Sequence, residues 1–413
     1  MDNKIIAIII VAILAVAGVG VVLLNSSNNN DNGTGEYEDM TGKMVEMPGT
    51  VNSIAVIGVG SLRVMSHLGL ADKICASDQL AGGVTYGSNT YMYAFEDLYG
   101  NPIVKNNSGE RQAVNLEKIL TCNNGSMPDV LVIVDTVASS NASTIESLER
   151  AGVTVFRIES VQELMDDDYT ISDKYEKQLT LLGKAFKVEN RAKEIIQGVN
   201  GMMKEIRDIA VEKSYNGSVY IGGLTVATLR GLNVSSIDYT PFKIIGANNI
   251  LKTGNPAMDA GGTQAGVSVQ VEGVINLINN SSGLTMFVDP AGWRLNGGLC
   301  TGDNVISSAL SNKGITSGLV LTPFHSYGME YDNILVNCYL VAGAVFGLDE
   351  EYISERIQDV YDLYYKDAAY DSNGVSIYER MSEWYFNAIH CEFGKSVSFG
   401  NLQITMTDGT VYT

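Results

Sequence analysis

The chain has 413 residues, enough for two sizeable domains, and 45% hydrophobic with 18% charged residues marks it as globular. A formal net charge of −20 excludes a nucleic-acid surface, which needs clustered Lys and Arg, and reads as a solvated acidic exterior. Five widely spaced cysteines (Cys75, Cys122, Cys300, Cys338, Cys391) form no CxxC pair, so neither a zinc site nor a disulfide framework is expected, and they read as buried free thiols.

Residues 5–24 are an unbroken run of apolar and small side chains, about the ~20 residues that cross a hydrocarbon core. Lys4 precedes the run, and Asp31, Glu36, Glu38 and Asp39 follow it, which favours a cytoplasmic amino terminus with the remainder outside. Residues 1–24 are therefore expected to be a single-pass signal anchor, with a cleaved signal peptide as the second reading. No Cys precedes Cys75, so a lipid-modified amino-terminal Cys is not expected. Residues 25–35 (NSSNNNDNGTG) read as a flexible tether. Asn-X-Ser/Thr triplets at Asn32, Asn106, Asn124, Asn141, Asn216, Asn233 and Asn279 fit export, although an Asn- and Ser-rich chain generates such triplets by chance.

A first α/β lobe is expected over residues 36–168. Residues 39–48 suggest a hairpin turning at Thr41-Gly42, and 51–57 a strand ending in Gly58-Val59-Gly60. A short helix to Leu68 then stops at Gly69. The Gly58-X-Gly60 pair lacks the third glycine of a dinucleotide fingerprint, so no nucleotide cofactor is expected. Residues 73–76 read as a strand, 86–99 as a loop rich in Tyr, Asn and Gly, 130–134 as a buried parallel strand, 144–150 as a helix and 153–158 as the next strand.

Residues 169–213 carry apolar side chains at helical spacing. Leu179, Leu182 and Phe186 are followed by Ile195, Val199, Met202, Ile206 and Ile209. Gly183, Gly198 and Gly201 each cost a helix interior about 1 kcal/mol, and a break is expected near 183–188. The strand–helix alternation then resumes over residues 214–395. Strands are expected at 218–221, 284–288 and 319–321, a helix at 269–278, and amphipathic helices at 333–346, 351–365 and 377–390. Residues 396–413 read as a terminal hairpin around Asp408-Gly409. The fold expected is α/β, with two three-layer lobes joined by one long helix and a ligand cleft between them.

The chain resembles the substrate-binding proteins of ABC importers for ferric siderophores, haem and vitamin B12 over roughly residues 38–393. The resemblance rests on ordered short motifs: Asp39…Gly42-Lys43…Val45…Pro48; Leu68-Gly69-Leu70-Ala71-Asp72-Lys73-Ile74; Asn115-Leu116-Glu117-Lys118-Ile119-Leu120; Pro128-Asp129-Val130-Leu131-Val132; and Leu181-Leu182-Gly183-Lys184…Ala192. The segment at 322–331 (TPFHSYGMEY) also resembles exported binding proteins of methanogenic archaea. Two departures are Asn52-Ser53, where the family has a basic residue, and an insertion at 123–126. The resemblance implies an ABC permease and its ATPase as partners, and a small-molecule metal chelate as ligand. It also implies that an exposed Glu on each lobe docks on permease arginines. These positions fall on Glu117 and Glu272, which otherwise read as first-turn glutamates favoured by the helix dipole.

Ligand-contacting residues are expected on loops at the carboxyl ends of strands, where aromatics and Arg suit a large flat or chelated ligand. Trp293 and Arg294 follow the 284–288 strand. Tyr86, Tyr91 and Tyr93 lie in the first-lobe loop, Ser61 and Arg63 just past the first strand, and His325 and Tyr327 after the 319–321 strand. With only His67, His325 and His390 in the chain, no direct zinc or manganese site is expected. Molybdate or tungstate remains an alternative, needing only backbone N–H groups, Ser/Thr and Arg at a helix start. No GxSxG, HExxH, Walker or paired-carboxylate motif points to an enzyme, and Asp166-Asp167-Asp168 reads as a solvated helix start. A surface-anchored sensor or adhesion module on the same scaffold is the third reading.

Overall fold

The computed structural model describes residues 34–78, 89–104, 114–225, 229–253, 266–293, 302–324, 330–399, 404–405 and 411–412. The proposed anchor and most of the tether lie outside them. Among the described residues no helix is long and apolar enough to cross a membrane.

The chain opens with an antiparallel hairpin, Gly35–Glu38 against Met44–Met47. Its turn is organised by Asp39, whose Oδ1 accepts from the Thr41 N–H (2.8 Å), the Thr41 hydroxyl (2.6 Å) and the Lys43 N–H (3.1 Å). A four-stranded parallel sheet follows, in the order Ile74–Ser77, Ile54–Ile57, Val130–Val134, Thr154–Ile158. Ile54–Ile57 and Val130–Val134 are buried at every residue, which is why they read as continuous Val/Ile runs without alternation.

Within the stretch 86–99 expected as loop, the described residues form a helix Thr90–Ala94 and enter a 3-10 turn Glu96–Gly100. Tyr91, Met92 and Tyr93 are buried in that helix, which packs on the helix Ile377–Ile389. Tertiary packing of these aromatics overrides their loop-like composition.

Two helices then lead from the first sheet to the second, Asp173–Ala185 and Glu189–Lys213. Ser172 caps the first by accepting from the Tyr175 N–H. Gly183 lets them touch: a Cβ there would lie 2.8 Å from that of Ala192. The buried stripe of the longer helix is Ala192, Ile195, Val199, Met203, Ile206 and Ala210. Met203 and Ala210, rather than Met202 and Ile209, therefore complete the face, one residue on from the expected positions.

The second sheet has five strands in the order Ser396–Ser398, Ser317–Val320, Leu284–Val288, Ser218–Gly222, Asn248–Asn249. All pairings are parallel except the first, in which Ser317 opposes Ser398. Ser396–Ser398 thus belongs to the sheet rather than to the terminal hairpin, which is Ile404–Thr405 with Val411–Tyr412. It covers what would be an open edge, and Gly318 makes room for Phe399 beside it.

The helix Tyr331–Phe346, expected to be amphipathic, is buried at every residue from Tyr331 to Ala342. It is apolar nearly all round, so it forms the centre of the second unit, under Glu350–Tyr365 and beside Glu189–Lys213.

Arg191, at the start of the long helix, ties the two units together. Its Nε donates to the His67 carbonyl (2.9 Å), and its Nη2 to the carbonyls of Leu363 (2.5 Å) and Tyr364 (2.9 Å). Both acceptor sites are helix carboxyl ends, where orphan carbonyls and the helix dipole favour a cation. Arg191→Met is expected to lower stability by about 2–4 kcal/mol, measured by urea denaturation. An unchanged midpoint would show that solvent replaces these bonds without loss.

Candidate functional site

The strand Ile54–Ile57 ends in a turn that only glycine permits. Gly58 has φ +102, and a Cβ there would lie 2.5 Å from Val134 Cγ2; Gly60, with φ +85, begins the helix Ser61–His67. The Gly58 N–H donates to Asp78 Oδ2 (3.1 Å), and the Ser61 hydroxyl donates to the Gly58 carbonyl (2.6 Å). Ser61 is fully buried in this cap.

One turn of helix carries Arg63 to the seam between the two sheets. Its guanidinium pairs with Asp332 Oδ1 (3.1 Å) and Glu330 Oε1 (3.5 Å), donates to the Thr90 hydroxyl (2.7 Å), and lies 4.9 Å from the centre of the Tyr91 ring. His67 adds its Nε2 at 3.0 Å from the Tyr365 hydroxyl and 3.9 Å from Asp332 Oδ2. The Tyr365 hydroxyl donates to Asp332 Oδ2 (2.6 Å), as does that of Thr90. Arg63, His67 and Thr90 come from the first unit. Glu330, Asp332 and Tyr365 come from the second, and the side chains of Arg63, His67, Glu330 and Asp332 are at most 1% exposed.

Charge decides the protonation here. Burial alone would raise the Asp332 carboxyl, but Arg63 and the donors around it hold it well below the usual carboxylate range. Burial would lower the Arg63 guanidinium, yet Asp332 and Glu330 keep it firmly charged. Burial also pushes His67 down to about 4, against the pull of Asp332, so the imidazole is neutral. The cluster is a lock built from one cation between two carboxylates. Arg63 can take an external anion only by giving up carboxylate partners.

Asp289 closes the second sheet's strand ends. Its N–H donates to the Gly222 carbonyl (2.9 Å), while its carboxylate accepts from the N–H groups of Ala291 (2.9 Å) and Phe324 (2.6 Å). The chain leaving three neighbouring strands is thereby fixed at one residue. From this base hangs the helix Pro290–Trp293.

Of the residues expected to contact ligand, Arg63 and Tyr91 come together at the seam, while Ser61 is buried in the turn at Gly58. Trp293 ends a short helix beyond Asp289; its side chain, and all of Tyr86, Arg294, His325 and Tyr327, lie outside the described residues. Glu117 and Glu272 are both exposed, in the first turns of Leu116–Leu120 and Val271–Asn280. Sequence reasoning missed Glu330, Asp332, Thr90 and Tyr365. The available signal was Asp332-Asn333 opening a helix that is otherwise nearly all apolar, since polar groups so placed need partners. Among the described residues no group of three or more His, Cys, Asp or Glu could hold a metal ion.

No protein-family profile and no curated protein matches this sequence. The architecture, however, is that of the periplasmic solute-binding proteins of ABC transporters. A periplasmic solute-binding protein from Veillonella parvula is similar over 81% of this chain and 93% of its own, with a TM-score of 0.55 and 14% identity. The molybdate-bound binding protein MolA of Haemophilus influenzae is similar over 80% and 98%, with a TM-score of 0.56 and 16% identity. An ABC transporter solute-binding protein from Sulfurospirillum deleyianum is similar over 85% and 98%, with a TM-score of 0.52 and 17% identity.

The neutral, buried His67 makes stability depend on pH with a definite sign. Its folded value of about 4 lies below the ordinary 6.5, so between these the unfolded chain binds a proton that the folded chain refuses. Stability contributed by His67 is present above 6.5 and is lost as pH falls toward 4; Asp332 adds its own loss only further down. Removing the titrating ring in His67→Gln should flatten this window by about 2–3 kcal/mol, read from urea denaturation at a series of pH values. An equal slope in both proteins would assign the acid sensitivity elsewhere.

Proposed function

We propose that the chain is the extracytoplasmic solute-binding component of an ABC importer, which reversibly captures a metal chelate and delivers it to a membrane permease and its ATPase. The fold carries this reading. Two parallel-sheet units are linked by the helices Asp173–Ala185 and Glu189–Lys213, an architecture shared with solute-binding proteins over about four-fifths of the chain. Residues 36–168 and 214–395 serve as the two lobes, and residues 1–24 as a single-pass anchor in place of a diffusible or lipidated form. Ferric siderophore, haem or corrinoid is the ligand class. Trp293 and Arg294, with Tyr86, Tyr91, His325, Tyr327, Ser61 and Arg63, are the residues proposed to contact it.

An oxyanion is the second reading, favoured by the likeness to the molybdate-bound protein. The pairing of Arg63 with Asp332 and Glu330 weighs against it at that position, because a buried cation already neutralised offers an anion little gain.

The deciding experiment titrates the intact chain in mild detergent with ferric siderophores, haem, corrinoids, molybdate and tungstate, using calorimetry. Saturable binding of a chelate supports the first reading, binding of an oxyanion alone the second, and silence across the panel overturns both in favour of a sensor or adhesion module. Trp293→Ala is expected to weaken chelate binding about tenfold or more, since truncating an aromatic anchor removes most of its contact; unchanged affinity would move the pocket. Glu117→Ala is expected to leave ligand affinity intact and to cut uptake in reconstituted membranes about tenfold, as for loss of one interfacial charge contact. Undiminished uptake would remove Glu117 from the docking face.

A further inference from the structure

Two cysteines that are distant in sequence meet at the edge of the first sheet. Cys75 lies in the edge strand Ile74–Ser77, and Cys122 just beyond the helix Leu116–Leu120, 47 residues later. Their Sγ atoms are 3.8 Å apart, in van der Waals contact, and the Cys75 thiol lies 3.5 Å from the Ile54 carbonyl. Cys75 is half-buried and so open to a small oxidant, whereas Cys122 is buried behind it. After Cys122 the chain enters a tight turn, with Asn123 and Ser126 bridged and left-handed conformations at Asn124 (φ 50) and Gly125 (φ 86).

We infer that Cys75 and Cys122 are a disulfide-forming pair that cross-links the sheet edge to the helix bearing Glu117. A bond of about 2.05 Å requires the sulfurs to close by roughly 1.8 Å, within reach of a side-chain rotation and a small shift of the short segment carrying Cys122. Cys75 is the attacking sulfur. It is the sulfur a solute can reach, and the contact with Cys122 lowers its thiol, while the same contact and burial raise that of Cys122. The oxidant is a small disulfide such as oxidised glutathione. The Cys75 thiolate attacks one of its sulfurs, forming a mixed disulfide and expelling one thiolate. Cys122 then gives up its proton and attacks Cys75 Sγ, expelling the second. Two protein thiols lose two electrons, and one external disulfide leaves as two thiols.

The closed loop, residues 75–122, contains the helix Thr90–Ala94, which lines the Arg63 cluster, and the exposed Glu117. The bond restricts the unfolded chain and stabilises both positions together. An oxidising compartment, as the extracytoplasmic placement above provides, preserves the bond. Its formation in the purified protein depends neither on that placement nor on the cargo.

The test exposes the reduced full-length chain, in mild detergent, to oxidised glutathione, then blocks remaining thiols with N-ethylmaleimide and maps peptides by mass spectrometry. The expected product is a linked pair containing Cys75 and Cys122, about 2 Da lighter than the two reduced peptides together. The thermal midpoint should rise by about 5 °C or more, reversibly on reduction, and neither Cys75→Ser nor Cys122→Ser should show the rise. Recovery of both cysteines alkylated, of stable glutathione adducts on either, or of either joined to a different cysteine would overturn the assignment. A linked pair without any rise would keep the cross-link and refute its stabilising role.

Discussion

The buried pairing of Arg63 with Asp332 and Glu330 is the constraint around which the two halves of this protein are arranged. Each of these charges alone would cost several kcal/mol to remove from water, so none can sit at the seam without its partners. The helix Ser61–His67 and the helix Tyr331–Phe346 must therefore arrive together, although 269 residues separate Arg63 from Asp332. The hydroxyls of Thr90 and Tyr365 and the Asn333 N–H supply further hydrogen bonds to Asp332, and His67 holds the Tyr365 hydroxyl from behind. Removing any one of these charges would leave the others buried without compensation.

Around this lock the seam is unusually rich in tyrosine. Tyr175 stacks on Tyr331 with ring centres 3.9 Å apart, and the Tyr331 hydroxyl donates to the Val161 carbonyl (2.6 Å). Tyr364 packs on the His67 ring at 4.3 Å. The rings supply apolar contact area, which suits a contact between two units that each already have a core. Of these three hydroxyls only that of Tyr331 is hydrogen-bonded among the described residues, and those of Tyr175 and Tyr364 are buried without such a partner. Arg191 adds a second cationic tie beside the first, on carbonyls at two helix ends.

Much of the candidate site was legible in part. Gly58 and Gly60 mark the end of the first strand in the sequence, and Ser61 and Arg63 follow as residues just past it. What the sequence did not reveal was the use of Arg63. An Arg at such a position reads as a ligand contact, and only the approach of Glu330 and Asp332 from the far end of the chain makes it a structural cation. Tyr91 is a similar case: a Tyr- and Asn-rich stretch reads as loop, yet Tyr91 and Tyr93 are buried on a short helix against Ile377–Ile389. Cys75 and Cys122, without a motif to join them, read as independent thiols until the edge strand and the turn placed their sulfurs in contact.

The sequence by itself determined the elements whose signal is local. Val130–Val134 and Leu284–Val288 are strands because continuous apolar β-prone runs of that length have few other solutions, and Glu189–Lys213 is a helix because its stripe repeats at helical spacing. Strands alternating with helices on either side of that long stripe were enough to imply two parallel sheets. Tertiary structure alone decided what depends on partners distant in the chain. It made Tyr331–Phe346 a central helix rather than a surface one, and assigned Ser396–Ser398 to the edge of the second sheet. It also turned three charged residues into one buried lock. Periodicity reports which faces are apolar; which charge is buried against which is fixed only when the two units close on each other and exclude water.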